Sequence, residues 1–93
     1  MTQAEQPIDL GEQLDITVVA ALKASLEEAV AAAQPVALNG ERLQRVDGAG
    51  IQLLLAFARA AEAAGGWRWH GEREPEAIRD AAEQLGVASE LVA

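Results

Sequence analysis

The sequence predicts a small α/β domain in which a partly parallel sheet carries helices against one face. Three observations predict it. Stretches with helical apolar periodicity alternate along the chain with apolar runs too short to be helices, Gly and Pro stand at the boundaries between them, and 93 residues leave room for a single core.

The first extended segment lies within residues 7–16. Ile8, Leu10, Leu14 and Ile16 fall at even spacing with polar neighbours and Gly11 interrupts them, which reads as a short strand, a turn and an extended approach to a helix. Asp15 or Thr17 can cap that helix, because either side-chain oxygen can accept from the free amides of the first turn. Val18, Leu22, Leu26, Ala29, Val30 and Ala33 then recur at steps of three and four, with Lys23, Glu27 and Glu28 on the other side. Pro35 stops the helix by forcing its predecessor out of helical geometry. Val36-Ala37-Leu38, ahead of Asn39-Gly40, suits a buried strand, and Glu41 to Arg45 reads as a polar connection.

The longest apolar stretch runs from Ile51 to Ala64. Ile51, Leu54, Leu55 and Ala58 line one helical face, and Leu53, Phe57, Ala60 and Ala64 widen it. Only a narrow strip with Gln52, Arg59 and Glu62 is left to face water. Gly65-Gly66 ends this helix with a left-handed cap. Trp67-Arg68-Trp69-His70 alternates in the manner of a strand, placing both tryptophans on one face, where they are expected to pack the sheet against helices. Exposed, they would instead be interface anchors. Gly71 to Glu74 turn the chain and Pro75 opens a third helix, whose stripe of Ile78, Ala81, Ala82 and Leu85 is closed by Gly86. Val87 and Leu91 suit a short final turn packed against it. The acidic residues Glu72, Glu74, Glu76, Asp80 and Glu83 gather around the third helix as a solvated face, and Arg79 and Glu83 are spaced to pair.

Composition narrows the function. The chain is 51% hydrophobic but only 3% aromatic, so the expected core is thin. A formal charge of -8 opposes binding to nucleic acid or to anionic lipid surfaces. Its plainest reading is solubility. There is no cysteine, hence no disulfide or thiolate metal site. The Ile51 to Ala64 stretch is broken by Gln52, Arg59 and Glu62 and falls short of the roughly 20 apolar residues of a membrane span. Met1 to Gln6 lack the features of a signal peptide, which leaves a cytoplasmic location as the expectation. His70 is the lone histidine, with no Ser or Cys beside it. No metal, cofactor or catalytic group is expected, and the chain reads as a non-enzyme.

The candidate site is Asp47-Gly48-Ala49-Gly50, where a strand gives way to the buried helix. Two glycines there allow a tight turn with outward amides, and a helix N-terminus can hold an anion. Asp47, however, is placed to occupy those amides itself. The turn ends in no Gly-Lys-Ser/Thr and forms no full dinucleotide fingerprint, and no basic residue within it meets phosphates. The spacing leaves two readings open, a capped tight turn and a recognition surface.

Val46-Asp47-Gly48-Ala49-Gly50-Ile51-Gln52-Leu53-Leu54 resembles the motif of STAS domains, the fold of anti-sigma-factor antagonists and of the cytoplasmic tails of sulfate transporters. The likeness extends along most of the chain. Leu10-Gly11-Glu12-Gln13-Leu14-Asp15 is similar to the family's opening strand and turn, Val36-Ala37-Leu38-Asn39 to its central strand, and Gly86-Val87 to the end of its later helix. The resemblance implies a STAS-like α/β fold over residues 1–93, a small mixed sheet of about four strands with about three helices mainly on one face, used to dock a partner protein. It implies a bacterial signalling adaptor that binds an anti-sigma factor or kinase, or a chemosensory component. STAS-like proteins also serve as cytoplasmic subunits of lipid-transporting ABC systems, in which the partner is an ATPase. On the adaptor reading Asp47 shapes the loop, Gly48, Ala49 and Gly50 permit close approach, and Gln52 and Arg59 offer polar contacts; on the transporter reading the same helix braces the ATPase. The sequence departs from the family in one telling respect. Members switched by a serine kinase carry Ser or Thr directly after the motif aspartate, whereas Gly48 and Ala49 stand here and neither accepts phosphate. Asn39, where many relatives have Asp, is a second departure.

Overall fold

The computed structural model describes residues 5–71 and 74–91. Its sheet is built around strand β3 (Val36–Asn39), which pairs in parallel with β1 (Gln6–Asp9) on one side and β5 (Trp67–Trp69) on the other. A second, two-residue parallel pair joins β2 (Gln13–Leu14) to β4 (Arg45–Val46). Helices α1 (Ile16–Ala31), α2 (Gly48–Glu62), α3 (Glu76–Gln84) and α4 (Ala88–Leu91) complete the chain. The α/β architecture is the one expected. The strands form two small parallel patches, because the turn at Gly11 steps the chain from β1 to β2.

The register sorts the side chains into two faces. Gln6, Val36 and Trp67 stand in one row and Ile8, Leu38 and Trp69 in the next on the same face. Here Leu26 of α1, Phe57 of α2, Ile78 of α3 and Leu91 of α4 join the core. Trp67 meets Phe57 edge to face at 6.1 Å and Trp69 at 5.4 Å. Trp69 is 7% exposed, and its indole N–H donates to the Leu91 carbonyl at 2.8 Å. The tryptophans thus fasten the sheet to α2 and α4. On the opposite face Pro7, Ala37 and Arg68 share a row. The Arg68 guanidinium grips both carboxylate oxygens of Glu5 at 2.7 Å. Glu5 precedes β1 and Arg68 lies on β5, so the pair spans the central strand and keeps Ala37 at 4% exposure.

Helix ends follow local chemistry. Asp15 and Asp47 are the N-caps of α1 and α2. At the end of α1 the amides of Ala33 and Gln34 donate back to the carbonyls of Val30 and Ala29, with Ala33 held at φ 53°. That is the hydrogen-bond pattern of a left-handed cap, closed by an alanine where a glycine is usual. After α2 the same task falls to Gly66, at φ 82°.

Several expectations change. Val18 and Leu85, placed on apolar stripes by their spacing, are exposed, as is Ala64, and Glu74, placed on a solvated face, is buried. Ile16 does not continue the buried alternation of Ile8, Leu10 and Leu14: it is the first residue of α1 and 74% exposed, because the cap at Asp15 rotates the chain into a helix one residue too early for it to point inward. The connection from Glu41 to Arg45 is not wholly polar, since Leu43 is buried and Arg45 opens β4. The solvent strip of α2 is wider than Gln52, Arg59 and Glu62, for Ala56, Ala60 and Ala63 are exposed as well. Arg79 turns away from Glu83 and donates to the buried Glu74 at 2.9 Å. Glu72 of the acidic group, and part of the turn from Gly71 to Glu74, lie outside the described residues.

Candidate functional site

The corner at residues 45–50 is assembled by the short β2–β4 pair. Gln13 aligns with Arg45 and Leu14 with Val46, and the Asp47 amide donates to the Leu14 carbonyl at 3.1 Å. Both strands run straight into helices. The parallel pairing therefore sets the N-termini of α1 and α2 side by side, each with an aspartate cap. Asp47 accepts from the Gly50 amide at 2.9 Å, and Asp15 accepts from the amide of Thr17 at 3.0 Å and from its hydroxyl. Each carboxylate caps an amide of its own helix and sets its negative charge at that N-terminus, which opposes a foreign anion there. The Thr17 hydroxyl, then its amide, and the Arg45 charge hold the Asp15 carboxyl below the usual carboxylate range. Asp15 stays ionised at neutral pH.

The sequence-predicted residues divide. Asp47 and Gly48 are exposed at the corner, Ala49 is half-buried and Gln52 exposed one turn on. A side chain at Gly48 would meet nothing within 4 Å. Gly50 is buried, and its close approach is to this chain's own β2 and β4: a Cβ there would lie 2.7 Å from the Leu14 carbonyl oxygen. Arg59 shares the exposed stripe of Gly48 and Gln52 but lies roughly 16 Å along the axis from Gly48. Its guanidinium is engaged by both carboxylate oxygens of Glu90 on α4, at 2.9 and 3.2 Å. The structure therefore joins Asp47, Gly48 and Gln52 in one surface and leaves Arg59 at the far end of the helix.

Two residues at the corner were not legible as site residues. Ile16 and Arg45 line a groove of about 370 Å³ together with Gln13, Asp15, Thr17 and Asp47. Ile16 is hidden in sequence by an even spacing that runs on past the cap. Arg45 belongs to a strand too short to show a pattern.

The family model described as "Mlab, STAS domain" matches residues 1–93. The chain belongs to the STAS family. The STAS fold is shared with a solved structure of the anti-sigma factor antagonist SpoIIAA in its unphosphorylated form, at a TM-score of 0.73 and 25% identity, over 98% of this chain and 80% of that one. A structure of the Bacillus cell fate determinant SpoIIAA in the phosphorylated form aligns at a TM-score of 0.70 and 24% identity, over 98% and 83% of the two chains. This second likeness speaks to fold alone. No curated protein matches the chain significantly. STAS domains are in general interaction modules rather than enzymes, and no helix among the described residues is long and apolar enough to cross a membrane.

Proposed function

We propose that this STAS domain is a non-enzymatic docking module that binds a protein partner through the corner formed by Asp47, Gly48, Ala49 and Gln52, in the manner of an anti-sigma-factor antagonist acting as a signalling adaptor. The observation that carries the reading is the exposed, capped helix start at Asp47-Gly48, set within the segment that most resembles the family motif. Gly48 stands where kinase-switched relatives carry a hydroxyl, so docking is constitutive with respect to that switch. A second reading is favoured by the MlaB description of the family model: a cytoplasmic subunit of a lipid-transporting ABC system, its corner seated on the ATPase.

Binding titrations of the purified chain against its host's anti-sigma factors and against its ABC ATPase subunits test both readings. One class binds, and Gly48→Arg weakens that binding without lowering the melting temperature, since the added side chain grows into open space. Binding by an ATPase alone selects the second reading. Binding by neither, or binding indifferent to Gly48→Arg, overturns the corner as a docking surface. Incubation with kinase and ATP should leave the segment from Val46 to Arg59 unphosphorylated, whereas Gly48→Ser supplies a hydroxyl that a cognate kinase can use.

A further inference from the structure

We infer that the energetic centre of this docking surface is Ile16 together with Arg45, and that the partner presents an apolar pocket with a carboxylate at its edge. The inference rests on the docking reading above and names the chemistry of the partner.

Ile16 is the apolar part of this surface. Among the described residues it is the most exposed large hydrophobic side chain, at 74%, and Val18, two residues on in the same helix, is 38% exposed. Exposed aliphatic groups scattered singly call for no explanation. This one is held in the first turn of a capped helix, beside Asp47, by the β2–β4 pair, so its position costs little entropy to fix on binding.

Arg45 is its polar part. Although the chain is acidic overall, four of its five described Arg side chains are held in close ion pairs within the molecule, Arg42 with Asp9, Arg59 with Glu90, Arg68 with Glu5 and Arg79 with Glu74, and Lys23 lies 3.8 Å from Glu27 on α1. Arg45 is the exception among the described residues. It is exposed, it lines the same groove as Ile16, and its resolved electrostatic influence is on Asp15. Asp15 and Asp47 each turn one carboxylate oxygen to an amide of their own helix. The cation at the corner without a close ion pair, among the described residues, is Arg45, whose planar fork suits a carboxylate. An aliphatic knob beside an arginine with no ion pair, ringed by the polar side chains of Gln13, Thr17 and Asp47, has the composition of an interface hot spot.

The test uses the full chain in its host, with a benzophenone side chain in place of Gln52 to trap whatever contacts the corner and a second one in place of Ala32, at the opposite end of α1. The expected result is one dominant protein adduct from position 52, mapped by mass spectrometry beside an Asp or Glu. Its yield falls at least roughly tenfold with Ile16→Asp or Arg45→Glu. Replacing that partner carboxylate by Arg restores the adduct in Arg45→Glu. Ile16→Ala, with melting curves on each variant, separates lost docking from lost folding. An adduct at 52 that survives both substitutions overturns this inference and leaves the docking reading intact. Adducts from position 32 alone, or from neither position, overturn both.

Discussion

Replacing Gly50 by alanine should damage the corner that the site is built on, and the size of the damage can be worked out. A Cβ at this position would lie 2.7 Å from the Leu14 carbonyl oxygen, 2.8 Å from Leu14 Cγ and 2.9 Å from Val46 Cγ2. The carbonyl cannot swing aside, because it accepts the Asp47 amide that joins β2 to the start of α2. Either β2 and β4 move away from the helix or the helix shifts outward. Such overpacking costs about 2–3 kcal/mol, the upper part of its usual range. Alanine recovers about 1 kcal/mol over glycine inside a helix. The net loss of about 1–2 kcal/mol lowers the melting temperature of a domain this size by roughly 4–16 °C. Gly48→Ala is the matched control: it adds the same methyl two residues earlier, where nothing lies within 4 Å, and should leave the melting temperature unchanged or raised. Thermal melts followed by circular dichroism decide the matter. A Gly50→Ala protein that melts at or above the parent would refute the claim that α2 is seated on the β2–β4 pair at this glycine.

Three further perturbations probe other parts of the structure. Ala33→Gly should stabilise the fold by about 1 kcal/mol, since it relieves an L-residue in the left-handed region, and a higher urea midpoint with unchanged slope would show it. Trp69→Phe removes the donor to the Leu91 carbonyl and part of a buried ring, costing about 1–3 kcal/mol, with amide exchange in α4 accelerating first. Acid should destabilise the chain in a defined window. Asp9, through the Gly11 amide and Arg42, and Asp15, through Thr17, are depressed below the ordinary 3.8, and Glu5, through Arg68, below 4.5. Carboxyls depressed in the folded state contribute stability that is complete above those ordinary values and lost as pH falls through the folded ones. The urea midpoint should therefore hold from pH 7 to about 5 and decline below that, and the triple variant Glu5→Gln, Asp9→Asn, Asp15→Asn should decline less.

The fold was largely readable because its signals are redundant. Glycine and proline mark most boundaries, Ile51, Leu54, Leu55, Ile78 and Ala82 are buried as their spacing predicts, and Trp67 and Trp69 could share a face only as a strand. What was not readable involves residues whose meaning comes from distant parts of the chain. β4 has two residues, and what makes it a strand is β2, about thirty positions earlier. Arg79 could pair with Glu83 on its own helix, but the buried Glu74 ahead of that helix takes it. Ala56 and Ala60 extend an apolar pattern in sequence, yet alanine is small enough to sit in water at little cost, so periodicity alone could not place them. The site followed the same rule. Asp47 and Gly48 announce themselves through the motif, whereas Ile16 was disguised as a core residue by the spacing of Ile8, Leu10 and Leu14. Arg59, conspicuous on an apolar helix, is tethered to Glu90 from an α4 that sequence barely defines.

Amide hydrogen exchange of the chain, alone and saturated with the partner found by titration, tests most directly whether the paired helix starts are the docking surface. Protection on binding should concentrate in residues 15–19 and 45–52, with the sheet face that carries Arg68 unchanged. Protection confined to that sheet face or to α3 and α4, with both helix starts exchanging as before, would contradict the account.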